Sequence, residues 1–245
     1  MPRGFPPQHI LALAQDGFAG RMAFVSSFGA ESAALLHMVA ETDPSMPLLF
    51  LETGMLFAET LSYQRDLAAH LGLRDVRPVQ PGPGVMARET ASGALHRRDP
   101  DACCSLRKTL PLQKALDPFS AWITGRKRYQ AASRAGLAVF EADDAGRPKL
   151  NPLTGWDAAH IRACSAAHEL PPHPLVARGY PSIGCAPCTT PVAPGEDPRA
   201  GRWRGQTKTE CGIHFENGRA VRSVRLGRSG RSGRSGQDGV NAGCP

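Results

Sequence analysis

The sequence has no long hydrophobic run. A helix that spans a bilayer needs about 20 consecutive apolar residues, and no apolar stretch of this 245-residue chain approaches that length. The first residues, MPRGFPPQHILALAQ, carry one arginine and two consecutive prolines and have no apolar stretch typical of a signal peptide. We therefore expect a cytoplasmic protein without a membrane partner.

Aromatic residues are scarce, at 6% of the sequence, whereas 41% hydrophobic and 21% charged residues are typical of a globular protein. The net charge of +7 is local, because ten lysines and arginines but only two acids lie between Arg199 and Arg234. Trp203 and Phe215 are the only aromatic residues there that could stack on bases. We expect no nucleic-acid partner, and a non-catalytic iron–sulfur protein that binds nucleic acid stays as an alternative.

The first half of the chain alternates short apolar runs with helical patterns. The runs predict strands at Met22–Ser26, 47–51, 75–79 and Ala121–Thr124, and the periodicity predicts helices at 31–41, 57–71 and 156–170. Strands that alternate with helices favour an α/β fold with an open, mostly parallel sheet and helices on both faces. Residues 171–198, rich in proline and glycine, are predicted to be irregular.

Two loops follow predicted strands and lead into predicted helices. The first, VSSFGAES, contains Ser26, Ser27 and Gly29, and the second, LETG, contains Thr53 and Gly54. Small residues at a helix N-terminus let backbone N–H groups bind an anion, and ligands of parallel sheets bind where such loops converge. The pair predicts a nucleotide pocket, although each loop alone is also consistent with an ordinary serine-capped turn. The lysine of a Walker A loop is missing.

Four of the seven cysteines form two close pairs. Cys103 and Cys104 are adjacent, and Cys185 and Cys188 form a C-x-x-C motif 80 residues later. Four thiolates are enough for a tetrahedral zinc ion or a four-iron cluster. Adjacent cysteines are awkward zinc ligands, so the pattern favours iron, with a zinc site or unliganded thiols as alternatives.

The other three cysteines lie in different surroundings. Cys211, in TKTECGIH, follows several cations, which lower the pKa of a thiol, so a reactive thiol is favoured over a spectator. Cys164 is spaced by four residues from both His160 and His168, which favours a partly buried helix face over a metal site. Cys244 receives no role.

Taken together, these motifs resemble the thioredoxin-dependent reductases of adenylyl sulfate and phosphoadenylyl sulfate. The resemblance covers roughly residues 21–215 and rests on SSFGAES, LETG, CCSLRK, WITGRKR, NPLTGW, GCAPCT and ECGIH, in that order. It implies a fold of the ATP-pyrophosphatase type and a [4Fe–4S] cluster on Cys103, Cys104, Cys185 and Cys188. Family members that reduce phosphoadenylyl sulfate commonly lack these cysteines, so adenylyl sulfate is the implied substrate.

The resemblance also implies roles for single residues. Cys211 would be the nucleophile, and the donor would be thioredoxin or glutaredoxin. From its position four residues after Cys104, Lys108 is expected between cluster and substrate. His214 is expected to orient the thiol or the substrate, with an ordinary polar surface role as the alternative. The cations expected to hold the phosphosulfate are Arg126, Lys127, Arg199 and Arg202.

The chain departs from the general pyrophosphatase pattern SGGxDS, because SSFGAES has lost one glycine. Three segments are expected: a nucleotide-binding reductase domain with the iron–sulfur site at 1–195, a mobile catalytic segment carrying Cys211 at 196–226, and a disordered tail at 227–245 with RSG three times in succession. A phosphoadenylyl-sulfate reductase and an ATP-dependent adenylyltransferase stay open as alternatives, as does a homo-oligomer.

Overall fold

The structure, a computed structural model, describes residues 5–85, 94–210, 212, 215–216, 219–220 and 244. Its helices are α1 (Pro7–Phe18), α2 (Ser32–Thr42), α3 (Ala58–His70), α4 (Leu95–Arg98), α5 (Pro100–Cys104), α6 (Leu110–Leu116) and α7 (Ala158–Ala167). Its strands are β1 (Met22–Ser26), β2 (Leu48–Leu51), β3 (Val76–Val79), β4 (Ala121–Thr124), β5 (Phe140–Ala142), β6 (Pro148–Leu150), β7 (Phe215–Glu216) and β8 (Arg219–Ala220).

Six strands form one sheet in the order β3-β2-β1-β4-β6-β5. All neighbours are parallel except β5, which runs antiparallel to β6 at the edge. Strand order reverses between β1 and β4, since the chain first adds β2 and β3 on one side of β1 and later adds β4 on the other. Sheets of this kind bind ligands in the crevice at that reversal, outside the carboxyl ends of the strands.

The two faces of the sheet are covered by different helices. Met22 and Phe24 of β1 belong to the larger apolar core, which also contains residues of α1, α2, α3 and α7. Ala23 and Val25 point to the opposite face and pack in a smaller core with Leu112 of α6. This alternation follows from the two-residue period of a strand and explains why β1 is buried along its whole length.

The helix termini follow from local sequence. Helix α1 begins at Pro7, where the fixed φ of proline suits the first turn and its missing N–H removes no bond. Helix α7 begins after Asp157, whose carboxylate accepts from the N–H groups of Ala159 and His160 at 2.8 and 2.9 Å. The helix predicted at 156–170 is therefore shorter in the structure, because its first turn can start only after the cap.

The predicted open, mostly parallel sheet with helices on both faces is confirmed. The strands β1 and β4 have the predicted bounds, and β2 and β3 begin one residue later than predicted. Helix α1 and the β5–β6 hairpin were not predicted from the sequence. In the part of the chain that the structure describes, no helix is both long enough and apolar enough to cross a membrane. The tail at 227–245 lies outside the described residues except for Cys244.

Candidate active site

A cavity of about 270 Å³ lies at the reversal of strand order, past the ends of β1 and β4. Its lining includes Ser26, the last residue of β1, the following Ser27, and Thr124, the last residue of β4. The segment 181–183 and the segment 197–203 contribute its other walls. The position is the one that the topology predicts for a ligand of an open parallel sheet.

The loop after β1 is held in a conformation that exposes its polar groups. The Ser26 hydroxyl accepts from the N–H of Phe28 at 3.1 Å. Phe28 adopts a left-handed backbone with φ 49° and is fully buried, with its ring edge-on to Phe50 at 5.3 Å between centroids. Non-glycine residues keep such a conformation only when the surroundings enforce it. The buried ring therefore fixes the turn that leads into α2.

Lys127, two residues beyond Gly125, forms an ion pair across the cavity with Glu31. The Nζ of Lys127 lies 3.1 Å from a Glu31 carboxylate oxygen, which also accepts from Gln130 at 2.8 Å, while Tyr129 donates to the other oxygen. Burial would raise the pKa of Glu31, but Lys127 and these hydrogen bonds together lower it. Burial lowers the pKa of Lys127, and Glu31 opposes that shift. The site thus holds a lysine whose charge is already compensated.

A second ion pair anchors the residue before Cys211. Arg134 binds Glu210 through two guanidinium nitrogens, at 2.8 and 2.7 Å. Arg199 lies 3.5 Å from the same carboxylate and donates to the carbonyl of Thr209 at 2.9 Å. Arg134, Arg199 and Glu210 all line the large cavity. The chain therefore reaches the cavity wall one residue before the candidate nucleophile.

The four paired cysteines meet in a second, smaller cavity. Cys103 and Cys104 at the end of α5 line it together with Cys185, Cys188, Arg107 and Lys108. Cys103, Cys104 and Cys185 are 6–7% exposed, and Lys108 is 8% exposed. Folding thus brings together two pairs that are 80 residues apart in the chain.

The donor set of this second cavity fits a metal cluster. Burial and the neighbouring Cys185 raise the pKa of Cys188, and the cations Lys108, Arg202 and Lys208 act in the opposite direction. A buried group of four sulfurs beside several cations suits bound metal, since metal coordination deprotonates thiols and the cations offset the thiolate charge. Iron and zinc both accept four thiolates.

The LETG loop supports the cysteine site, not the large cavity. The Thr53 hydroxyl lies 3.3 Å from the sulfur of Cys185, and the Thr53 carbonyl accepts from Arg107 at 2.9 Å. The N–H of Ala186 donates to the carbonyl of Met55 at 2.8 Å. Thr53 and Gly54, which the sequence predicted in the nucleotide pocket, are not among the residues that line the large cavity. The loop instead positions the GCAPC segment.

Trp203 separates the two cavities and lines both. It is 3% exposed and has a left-handed backbone with φ 46°. Its backbone N–H donates to the carbonyl of Cys188 at 3.0 Å. The Arg202 guanidinium lies over its ring at 4.4 Å. The same guanidinium packs against Gly184, where a side chain would overlap it. Trp203 thus contacts the cysteine site through Cys188 and the large cavity through the guanidinium of Arg202.

Cys211 and His214 lie outside the described residues, but both sequence neighbours of Cys211 are described. Glu210 lines the large cavity. The carbonyl of Gly212 accepts from the Thr109 hydroxyl at 3.2 Å. Thr109 directly follows Lys108, which lines the cysteine cavity.

Seven residues predicted to bind substrate line the large cavity, and five predicted for the metal site and its neighbourhood line the small one. The former are Ser26, Ser27, Gly29, Arg126, Lys127, Arg199 and Arg202. The latter are Cys103, Cys104, Cys185, Cys188 and Lys108. Glu31, Arg134, Glu210 and Trp203 also line the large cavity and were not predicted as site residues from the sequence. Trp203 was the one with a signal: a lone tryptophan in a segment of arginine and glycine.

The chain is similar to known proteins over most of its length. A family model described as phosphoadenosine phosphosulfate reductase domain matches residues 21–191. A Mesorhizobium japonicum protein named adenosine 5'-phosphosulfate reductase is 51% identical over 210 residues, covering 86% of this chain and 82% of that protein. A Gloeobacter violaceus protein named phosphoadenosine 5'-phosphosulfate reductase is 42% identical over 212 residues, covering 85% and 88%.

Solved structures agree with the fold. A phosphoadenylyl-sulfate reductase from Candida auris, in a phosphate complex, superposes with a TM-score of 0.65 at 27% identity, covering 76% of this chain and 91% of that one. A Candida glabrata FMN adenylyltransferase bound to ATP superposes with a TM-score of 0.55 at 14% identity, covering 78% and 65%. The second likeness concerns the fold alone.

Proposed function

This chain belongs to the phosphoadenosine phosphosulfate reductase family, and on that premise we propose that it reduces adenylyl sulfate to sulfite and AMP. The observation that carries the proposal is the position of the two residues joined to Cys211. Glu210 lines the cavity at the strand reversal, and Gly212 accepts from Thr109 beside the cysteine cavity. The candidate nucleophile therefore belongs to a segment that borders both sites.

The large cavity has the polarity that a phosphosulfate requires. Its loop after β1 offers hydroxyls, and Arg126, Lys127, Arg199 and Arg202 surround it with positive charge. Several of these cations are paired with carboxylates, so they are held in place before a ligand arrives. Guanidinium groups held in this way bind oxyanions with two parallel hydrogen bonds.

The proposed reaction has two displacement steps. The Cys211 thiolate attacks the sulfur of adenylyl sulfate, the bond from that sulfur to the bridging phosphate oxygen breaks, and AMP leaves. A thiolate of a dithiol donor, thioredoxin or glutaredoxin, then attacks the Cys211 sulfur, and sulfite departs. The second thiol of the donor resolves the mixed disulfide, so the donor supplies both electrons. His214 is proposed to orient the thiol or the substrate.

Cys103, Cys104, Cys185 and Cys188 would hold a [4Fe–4S] cluster. Its proposed contribution is electrostatic and structural, because the donor already supplies both electrons. Lys108 lines the same cavity and directly precedes Thr109, which donates to Gly212. We propose that the positive charge of Lys108 lies between the cysteine site and the substrate. The segment 196–226 is proposed to act as a catalytic unit on the body formed by residues 1–195.

Adenylyl sulfate is preferred over phosphoadenylyl sulfate for two reasons. The chain has the four cysteines, and its 51% identical relative from Mesorhizobium japonicum is named for the unphosphorylated nucleotide. The relative from Gloeobacter violaceus, named for the phosphorylated one, keeps the second substrate as the alternative.

The test is sulfite release under anaerobic conditions, with reduced thioredoxin and each nucleotide in turn. We expect sulfite mainly from adenylyl sulfate, and loss of turnover in Cys211→Ser without loss of iron. The matched control is Thr207→Ala, a change at an exposed position four residues earlier. Sulfite production by Cys211→Ser at the wild-type rate would contradict the role of this cysteine, and no sulfite from either nucleotide would contradict the activity.

A further inference from the structure

A second cluster of metal-ligating side chains lies away from both cavities. His37 on α2, Cys164 on α7, His168 at the end of α7 and Cys244 near the end of the chain meet beside the larger core. The ligand atoms of His37, His168 and Cys244 lie within 4.8 Å of one another. Cys164 is bonded to Cys244 as a disulfide, with Cα atoms 5.2 Å apart. The proposed reduction assigns no task to any of these four residues.

The cluster is built into the fold. Cys164 is 0% exposed and Cys244 is 8% exposed. The N–H of His168 donates to the carbonyl of Cys164 at 3.2 Å, so their side chains leave the helix on one face. The imidazole rings of His37 and His168 are 4.0 Å apart between centroids. Three elements far apart in sequence thus place two imidazoles next to the sulfur of Cys244, which is bonded to that of Cys164.

One ring nitrogen of His37 has no hydrogen-bond partner among the described residues. Its Nε2 atom is buried and makes no hydrogen bond, and its nearest acid is an oxygen of Glu41 at 3.5 Å. A buried polar atom without a partner is costly unless a ligand or a water satisfies it. His160, which lies on the same helix as Cys164, is engaged differently, because its Nδ1 atom lies 2.8 Å from the Asp157 carboxylate.

We propose that, once a dithiol has reduced the Cys164–Cys244 disulfide, these two thiolates and the imidazoles of His37 and His168 bind one Zn²⁺ ion. Two sulfurs and two nitrogens are a common tetrahedral zinc set, with ligand distances of about 2.0–2.3 Å. Such distances put neighbouring ligand atoms about 3.3–3.8 Å apart. The ligand atoms of His37, His168 and Cys244, now within 4.8 Å of one another, need to move closer by about 1 Å. Reduction must also free the Cys164 sulfur from Cys244 so that it can turn toward the ion as the fourth ligand.

Reduction of the disulfide and zinc binding balance in electrons and protons. The dithiol gives two electrons to the disulfide and becomes a disulfide itself, and zinc binding then releases the two thiol protons. Oxidation of the two cysteines would expel the ion. In either state Cys244 is tied to α7, which closes a loop that contains Cys185, Cys188 and Cys211. The proposal does not depend on the reductase activity.

The test measures zinc on the full chain. Wild type and variants are reduced with a phosphine, incubated with Zn²⁺, freed of unbound metal by gel filtration and assayed for zinc per chain. Cys244→Ser and His37→Gln should each retain one zinc fewer than wild type. His160→Gln is the matched control and should retain the wild-type amount. Zinc at the Cys103 group is common to all four proteins, so it cancels in the comparison.

A second measurement reports the ligands directly. Co²⁺ in place of Zn²⁺ should give visible bands of a tetrahedral site with thiolate ligands, weakened in both variants. Equal zinc content in wild type, Cys244→Ser and His37→Gln, with circular dichroism showing folded protein, would overturn the proposal. So would thiol counting that finds the Cys164–Cys244 disulfide intact after dithiol treatment.

Discussion

Single residues of the candidate active site are arranged as pairs of opposite charge. Arg134 with Glu210 and Lys127 with Glu31 put two cations of the cavity wall next to carboxylates. Desolvating such a pair costs nearly as much as the attraction returns, so its value lies in fixing geometry more than in stability. Removing one partner lowers the free energy of unfolding, because it leaves the other charge buried and uncompensated.

The substitution Glu210→Gln, at the residue next to Cys211, tests the effect of removing one charge from a buried ion pair. Both side chains of its pair with Arg134 are mostly buried, at 9% and 13% exposure. Breaking a buried pair costs about 3–5 kcal/mol, and the remaining exposure reduces this to about 2–3 kcal/mol in the free energy of unfolding. Misplacement of Cys211 should lower kcat by about tenfold to a hundredfold. Urea unfolding and sulfite release measure the two effects.

The matched control is Glu196→Gln, which breaks the surface pair with Arg204. Surface pairs contribute little to stability, so this variant should unfold like wild type and keep its turnover. Identical losses in Glu196→Gln and Glu210→Gln would mean that net charge, not the position of Glu210, matters.

His173 makes the free energy of unfolding depend on pH. It is 1% exposed, its Nδ1 accepts from the N–H of Leu175 at 3.2 Å, and its Nε2 therefore donates to the Thr60 hydroxyl at 3.0 Å. Burial lowers its pKa from 6.5 to about 4, against an opposing effect of Glu59. The unfolded chain binds the proton first on acidification, so this stability is complete above about pH 6.5 and is lost toward pH 4.

His173→Gln removes the titrating group. From pH 7 to pH 5, wild type should lose about 2 kcal/mol more of its free energy of unfolding than the variant. Urea unfolding at both pH values measures the difference, and the comparison cancels the other groups that titrate in this range. Equal pH dependence in the two proteins would show that His173 is not kept neutral by the fold.

At the scale of elements, the loop that carries Arg199, Arg202 and Trp203 is fastened to the segment after Cys188. The N–H of Thr190 donates to the Gly201 carbonyl at 2.9 Å, and Thr189 and Arg202 form an isolated β-bridge. A side chain at Gly201 would overlap the Thr190 carbonyl. The backbones approach so closely that only glycine fits there.

Gly201→Ala should therefore push the backbone segments at Thr190 and at position 201 apart. We expect a loss of about 1–3 kcal/mol in the free energy of unfolding, the usual cost of overpacking, and a raised KM, because Arg199 and Arg202 move with the loop. Thermal unfolding and sulfite kinetics measure these effects. Gly136→Ala is the control, since a side chain there meets open space and should leave both quantities unchanged. A Gly201→Ala protein as stable as that control would show that the contact is not tight.

Elements were predictable where their sequence pattern was local. Strands β1 and β4 are short apolar runs in a sheet buried on both faces, so hydrophobicity alone locates them. The hairpin of β5 and β6 has three residues in each strand and mixed polar composition, so it exists through pairing at the sheet edge and leaves no periodic signal. Helix α1 was not predicted, although its buried residues Ile10, Leu11 and Ala14 lie at helical spacing.

Site residues were predictable when a chemical type or a spacing marked them. The four cysteines and the serine loop carry such marks, and they line the two cavities. Glu31 and Arg134 carry none, since an acid or an arginine is usually a solvated surface group. Their partners lie 76–99 residues away in sequence, so only the fold reveals them. Thr53 was expected in the nucleotide pocket because nothing in LETG shows that Cys185 lies beside it.

For the whole molecule, the cysteine site would act as a long-range staple once the proposed cluster is bound. It joins α5 to the GCAPC segment, and the pair of Lys208 with Asp101 joins the segment before Cys211 to the same helix. The two cores of the sheet are formed mainly by residues from the strands and their covering helices, and they contain none of the four cysteines of this site. We therefore expect a body that packs by itself and a C-terminal part whose position depends on the staple.

Removal of the proposed cluster should accordingly loosen one part of the molecule and spare the other. Without metal, the buried thiols regain protons and no longer offset Lys108, so the contacts of 181–210 with α5 weaken. Limited proteolysis after iron chelation, with fragments identified by mass spectrometry, should give early cuts within 181–210 while the strands β1–β4 stay intact. Thermal unfolding should begin at a lower temperature than in the iron-replete protein. Early cuts in β1–β4 would instead mean that the cluster stabilises the sheet itself, and the division into body and stapled segment would be wrong.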